Sequence, residues 1–405
     1  MRLAAGAAAL TLIAASACSG QQHVRAGSAQ KPATKASPAG GADVSTAPWA
    51  AAAADPASGA FFWGLPVAPD FQVFSGMVVS KGVLYGQWAG CSGGSGGLAA
   101  LDVTTGRVRW RTPPLFVTET IEARYVASVV DGVYVGVGNR DQAINVPNVL
   151  VGIAASNGKE LWRLTDRSPV SVDGPLLAVS GPNPAAIDVI SRLNGRTLSS
   201  VMLPEDRSLD GVVVDGDRVF LATTELVRTP VIRITAFDGR TGKQLWTRDG
   251  ITGGITGASG GTLVTTRSLD GNRRGVVAFD EANGAQRWQR DDLTEVGGRQ
   301  TMAAATAVFQ GMGSATEAGP LEVVDLANGR TRWRSPSSDV VAVKPNGVFL
   351  VGTGNDFRTK LYANEGSVIG PVPDLPKPGE QQVIVPPEVG PDGHVYLGRG
   401  CPGRG

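Results

Sequence analysis

Histidine is nearly absent from this 405-residue chain: His23 and His394 are the only two. A metal centre built on several histidines is therefore excluded, and a Ser–His–Asp triad would have to use one of these two. Net charge is absent as well. The 37 basic and 36 acidic residues leave a formal +1, so no overall field draws the chain to nucleic acid or an anionic membrane. Cysteine is scarce: Cys18, Cys91 and Cys401 are the three, and no two are adjacent. No apolar run reaches the roughly 20 residues that an ordinary membrane helix needs.

Glycine is what the chain has in abundance, at 55 residues beside 26 prolines. That composition fits either many tight turns or a disordered chain. Yet 42% of the residues are hydrophobic and recur in short regular runs, which disorder does not explain.

The N-terminus reads as a targeting segment. Arg2 precedes an apolar run over residues 3–15 that ends in Ala15-Ser16-Ala17-Cys18, the length of a signal-peptide core with small residues at its end. The end resembles a bacterial lipobox, in which the cysteine is lipidated and becomes the mature N-terminus, although Ala15 stands where leucine is usual. Residues 1–18 are thus expected to be a lipoprotein-type signal peptide with Cys18 as lipid acceptor. Residues 19–58, rich in Ala, Ser, Pro and Gly, are expected to be a disordered linker. Residues 59–405 remain for the folded domain.

That domain repeats itself. Five segments end in the same way, at Trp110, Trp162, Trp246, Trp288 and Trp333, each four residues after a glycine: Gly106, Gly158, Gly242, Gly284 and Gly329. Asp102, Asp238, Asp280 and Asp325 stand four residues before their glycines. Two degenerate copies, around Gly195 and Gly366, lack the tryptophan. The mean step between the seven glycines is about 43 residues, the period of four-stranded propeller blades. Between the copies lie short β-rich runs such as GVLYG (82–86), GVYVG (132–136) and GHVYLG (393–398), several entered by a Gly-containing turn. Aspartate at the first motif position can accept a backbone N–H two residues on, glycine at the fifth supplies positive φ, and the tryptophan fits as a wedge between blades.

The pattern A-x-D-x-x-[TN]-G-x-x-x-W resembles the tryptophan-docking repeat of pyrroloquinoline-quinone (PQQ)-type propellers, over about residues 75–400. The resemblance implies an all-β propeller of four-stranded blades, eight in number with seven as the alternative. An unpaired strand at 388–398 would be completed by residues 60–76 from the other end of the chain. Cys91 and Cys401 follow equivalent strands of the first and last copies, so ring closure would bring their loops together as a disulfide. Two free thiols on glycine loops are the alternative.

Other candidates are weak. Gly90–Gly94 and Gly93–Gly97 both match G-x-S-x-G, but in a glycine loop between strands rather than the strand–turn–helix of a hydrolase elbow. Asn139-Arg140-Asp141 and Asn355-Asp356 read as repeated turn chemistry, and Asp291, Asp292 and Glu295 as a solvated loop more than a cation site. Arg109, Arg287, Arg332 and Arg334 flank the tryptophans as surface residues with buried stems. The family contains calcium- and quinone-dependent dehydrogenases, non-catalytic lipoproteins resembling the B component of the outer-membrane assembly machine, and kinase sensor domains. This chain is shorter than the dehydrogenases and lacks their adjacent cysteine pair.

The resemblance therefore implies a monomeric, non-catalytic envelope lipoprotein without cofactor, binding or scaffolding secreted or envelope proteins, with envelope protein biogenesis as the expected setting. A PQQ- and Ca²⁺-dependent dehydrogenase, or a carbohydrate-active propeller, is the alternative.

Overall fold

The structure is a computed structural model. It describes residues 49–402 apart from 57, 59, 67–72, 91–94, 118–128, 140–147, 166, 172–173, 182, 184, 226–230, 270–272, 297–301, 304, 313–318, 336–338, 344–348, 354–357, 363–367, 372–381 and 385–387. Cys18, Gly366, Asn355-Asp356, Arg140-Asp141 and Cys91 fall outside the described residues, as does the side chain of Cys401.

Among the described residues there are strands and turns but no helix. The strands assemble into eight antiparallel sheets, each built mainly from neighbours in sequence. In chain order, blades 1 to 7 span 73–111, 129–165, 168–202, 207–251, 255–290, 293–335 and 339–371. The hairpins follow from their turn residues. Lys81-Gly82 has φ of 48° and 73°, and Asp131-Gly132 has 52° and 76°. Two successive positive φ values match the twist of the flanking strands and favour glycine in the second place.

The eighth blade joins the two ends of the chain. Its inner strands come from the C-terminal region, including Glu388–Val389 and Val395–Pro402, and its outer strands are Trp49–Ala54 and Phe61–Pro66. Ala51 to Ala54 pair with Gly398 to Val395. This corrects two expectations. Of the closing strands, Phe61–Pro66 lies within the expected 60–76, but the other is Trp49–Ala54, and Val73–Ser80 begins blade 1 instead. Residues 49–54 also belong to the fold, not to the linker expected over 19–58. The reason is packing: Ala50 to Ala54 are all fully buried, and alanine loses almost no side-chain freedom on burial. A run that looks too small to fold alone therefore fills a narrow seam.

The core is distributed between blades. One cluster joins Ala50, Ala51, Ala53, Trp63 and Tyr396 of blade 8 to Phe74, Met77, Leu84 and Trp88 of blade 1. The next joins Tyr85 and Leu98 to Tyr134, Val149 and Ile153, and others straddle blades 2/3, 3/4, 4/5 and 5/6. Among the described residues blades 1 to 5 each bury both faces against their neighbours, so these seams carry the stability.

Candidate functional site

Among the described residues, the outermost strand of one blade meets the motif turn of the next. The indole Nε1 of Trp110 donates to Ala155 O (2.9 Å), Trp162 to Arg192 O (2.7 Å), Trp246 to Glu281 O (2.9 Å) and Trp288 to Leu326 O (2.7 Å). Each acceptor lies three residues before the next motif glycine. The ring plane then covers that glycine: a Cβ on Gly158 would lie 2.6 Å from Trp110, and on Gly329 2.7 Å from Trp288. Glycine is thus required twice, by contact and by φ near +70°. Trp333 lies on the outer strand Thr331–Ser335, and the next motif glycine in sequence, Gly366, is outside the described residues.

Two seams depart from the expected pattern. Trp63, which the repeat reading did not include, donates to Val103 O at 2.8 Å and covers Gly106. Its signal was present, since Asp55, Gly59 and Trp63 carry the motif spacing. The Asp55 N–H donates to Ala60 O, as the Asp102 N–H does to Arg107 O. In blade 3 the tryptophan position is Ser199. Its hydroxyl donates to Gly239 O at 2.8 Å, the same acceptor position, while Ser199 Cβ lies 3.1 Å from where a Cβ on Gly242 would be. Trp162 Cβ stands at the same 3.1 Å from a Cβ on Gly195, so the serine begins where a tryptophan would.

The motif aspartates organise their own turns. Oδ1 of Asp102 accepts the N–H of Thr104, and Asp238, Asp280 and Asp325 accept those of Arg240, Ala282 and Ala327. In blades 1, 5 and 6 the second oxygen is taken by the arginine preceding the tryptophan: Arg109–Asp102 at 2.6 Å, Arg287–Asp280 at 2.6 Å and Arg332–Asp325 at 2.9 Å. Hydrogen bonds from Thr104 and then Arg109 hold Asp102 well below the usual carboxylate range. Arg334 pairs instead with buried Glu322 at 3.0 Å.

Blades 2, 3 and 4 break this rule together. The position before the tryptophan is Leu161, Leu198 and Leu245, all exposed. The aspartate is Ala154 in blade 2 and Ser191 in blade 3. Leu193 and Met202, 54% and 61% exposed, add to the same rim of blade 3. Phe62 of blade 8, 43% exposed, holds the same position before Trp63, so this position is apolar on blade 8 and on the three consecutive blades 2 to 4, and an ion-paired arginine on blades 1, 5 and 6; large exposed apolar residues in one region mark interaction surfaces.

The remaining candidates find structural roles. Asp291, Asp292 and Glu295 face Arg267 (3.6 Å), Arg290 (2.6 Å) and Arg274 (2.7 Å). Ser95 opens a strand, Ser95–Asp102, not a helix. His394 Nδ1 lies 3.1 Å from Asp392 and its ring 4.4 Å from that of Phe62, at the end of the closing strand. Among the described residues no group of three or more His, Cys, Asp or Glu is placed to hold a metal ion.

One buried acid stands out at the seam of blades 4 and 5. Glu281 has a side chain only 3% exposed and lies 4.0 Å from Arg218, with Oε1 accepting no hydrogen bond. Burial, and then the Asp215 carboxyl hydrogen-bonded beside it, push its pKa up to about 8. Two carboxyls in contact favour a shared proton, so Glu281 protonates and donates to Asp215. Its folded pKa lies above the unfolded value, so this stabilisation is complete below about pH 4.5 and is lost as pH rises through about 8. Glu281→Gln keeps a donor without the charge. Urea midpoints from pH 5 to 9 should fall in the wild type and flatten in the variant, which becomes the more stable of the two at pH 9. Parallel curves would refute the shared proton.

The chain matches the family model described as outer membrane protein assembly factor BamB over residues 49–188 and 185–340. No curated protein matches it. Among solved structures it is similar to BamB from Moraxella catarrhalis, at 17% identity over 78% of this chain and 89% of that one (TM-score 0.43). It is also similar to the computationally designed Ika8 protein, at 13% identity over 81% and 96% (TM-score 0.48), and to a europium-containing methanol dehydrogenase, at 12% over 80% and 82% (TM-score 0.45). With its family model running over most of the chain and eight sheets closed end to end, the protein belongs to the BamB-like family of PQQ-type repeat β-propellers.

Proposed function

We propose that this propeller is a non-catalytic, protein-binding scaffold of the cell envelope, tethered through a lipid on Cys18 and facing away from the cytoplasm. The observation that carries the reading is the apolar arc of blades 2 to 4, with Leu161, Leu198 and Leu245 at one repeat position. Membership of a family described as an outer membrane assembly factor favours a partner in envelope protein biogenesis.

The test is site-specific photocrosslinking in the intact cell. A crosslinking residue at Leu161 or Leu245 should give discrete protein adducts, and one at Arg287 or Arg332 none. Adducts at neither pair, or equally at both, would defeat the proposal. The quinoprotein alternative is separated by calorimetric titration of PQQ with Ca²⁺, where heat no greater than dilution is expected and saturable micromolar binding would revive it. Export also bears on the cysteines. A Cys91–Cys401 disulfide in an oxidising compartment would close a loop of roughly 300 residues and constrain the unfolded chain by several kcal/mol in the loop-entropy model. Mass spectrometry should find both thiols blocked to alkylation until reduction, and labelling without reduction would remove the bridge.

A further inference from the structure

The outer strand of every blade carries one extra residue beside its motif turn. Pairing skips Leu161 between Glu160 and Trp162, Leu198 between Thr197 and Ser199, and Leu245 between Gln244 and Trp246. The same skip falls on Arg109, Arg287, Arg332, Ile369 and Phe62 in blades 1, 5, 6, 7 and 8. A residue inserted in this way has no cross-strand partner. In blades 1, 5 and 6 it is an arginine, taken by the motif aspartate. In blades 2, 3 and 4 it is a leucine, left exposed.

A second position travels with it. Two residues earlier, directly after the motif glycine, blades 2, 3 and 4 carry Lys159, Arg196 and Lys243, all exposed. Among the described residues none of the three forms an ion pair, and the acids near them in sequence are held elsewhere. Glu160 pairs with Arg163 at 2.6 Å, Asp188 with Arg167, and Asp249 with Arg233 at 2.6 Å, while Asp238 accepts the hydroxyl of Thr241. On the other blades the two positions combine differently. Arg107 and Arg330 precede the paired Arg109 and Arg332, Ala285 precedes Arg287, Ala60 precedes Phe62 and Ser367 precedes Ile369. Among the described residues, an unpaired cation and an exposed leucine thus coincide on three consecutive blades and on no other.

We infer that the partner of this rim is an acidic protein segment, one that offers carboxylates to Lys159, Arg196 and Lys243 and apolar side chains to Leu161, Leu198 and Leu245. The inference rests on the protein-binding reading of the same arc and adds the chemistry of what binds. Complementary charge selects a partner and speeds its encounter, while the apolar contacts hold it. An anionic bilayer would offer the same charge, but lipid-binding surfaces gather about four to eight Lys and Arg in one cluster, where this rim sets one cation on each of three blades.

The test is the yield and composition of adducts from a photocrosslinking residue at Leu161 or Leu245 of the full chain in the intact cell. The crosslinked segment, sequenced by mass spectrometry, should carry Asp or Glu within a few residues of the adduct. K159E/R196E/K243E should lower the yield by at least about tenfold, since it exchanges three attractions for repulsions. The neutral K159Q/R196Q/K243Q should fall between that variant and the wild type, and it keeps the test open if the reversed one does not fold. K159R/R196K/K243R should stay within about twofold of the wild type. So should R107E/R330E, which reverses the cations at the same position on blades 1 and 6. Protein adducts that survive both K159E/R196E/K243E and K159Q/R196Q/K243Q overturn the inference and leave the protein-binding reading standing. An equal loss in R107E/R330E overturns it as well, because the attraction would then be diffuse. Adducts of lipid mass alone give the rim to the membrane, and no adduct in the wild type removes the inference together with the reading it rests on.

Discussion

A chain that starts at residue 67 is expected not to fold, whereas one that starts at residue 49 should keep the full stability of the propeller. The shorter chain lacks Trp49–Ala54 and Phe61–Pro66, the two outer strands of blade 8. Three losses coincide. Val395–Pro402 loses its ladder over Ala51 to Ala54, leaving a bare central edge. Fully buried alanines leave the seam that also holds Phe74, Met77 and Trp88. Trp63 no longer covers Gly106. Loss of a buried tryptophan side chain alone costs about 3–5 kcal/mol, against about 5–15 kcal/mol for a whole domain. A ring is also less tolerant than an open array, because its last seam holds every other one in register. Urea unfolding followed by tryptophan fluorescence decides the matter. The 49–405 chain should give one cooperative transition, and the 67–405 chain none, or recovery only in insoluble form. A cooperative transition at an unchanged midpoint in the 67–405 chain would mean that closure contributes nothing.

Much of this architecture was legible because it is written seven times. The aspartate that shapes a turn, the glycine that a neighbouring indole covers and the tryptophan itself recur at fixed offsets, and each has a local physical cause. Even so, the eighth copy at Asp55, Gly59 and Trp63 went unread, because the alanines before it match the low-complexity composition of a linker. Composition in a window does not reveal that Ala50 to Ala54 will be sandwiched between two other segments. Only the pairing with residues 395–398, at the far end of the chain, makes them core. The candidate surface was harder still to see. Leu161, Leu198 and Leu245 look like ordinary strand residues until the blades are superposed as repeats and the missing aspartate–arginine pairs appear. Glu281 carried no sequence signal at all. Its perturbed ionisation comes from burial in the seam and then from Asp215, which belongs to the preceding blade.

Truncating one wedge should nearly unfold its seam, while the seam that never had a wedge should refuse one. Trp288 is only 9% exposed, packs edge-on to Phe309 with ring centroids 6.5 Å apart, and covers Gly329. Trp288→Ala leaves a cavity that the flanking sheets, each fixed by its next neighbour, can only partly close. A loss of about 3–5 kcal/mol follows. Trp288→Phe keeps most of the apolar area and gives up the 2.7 Å bond to Leu326 O. Thr262 Oγ1 also donates to that carbonyl, at 3.3 Å, so the acceptor is not orphaned and the cost should be nearer about 1 kcal/mol. At the seam of blades 3 and 4 the order inverts. Ser199→Ala removes one hydrogen bond to Gly239 O and should cost about 1 kcal/mol. Ser199→Trp, which restores the repeat consensus, must add an indole to a seam whose side chains are packed around a serine, and overpacking of this kind costs about 1–3 kcal/mol. Urea midpoints of the four variants should therefore place Trp288→Phe and Ser199→Ala close to the wild type, Ser199→Trp lower and Trp288→Ala lowest. If Ser199→Trp proved stabilising, blade 3 would have to hold an open slot instead of a closed seam, and the consensus would outweigh the local packing.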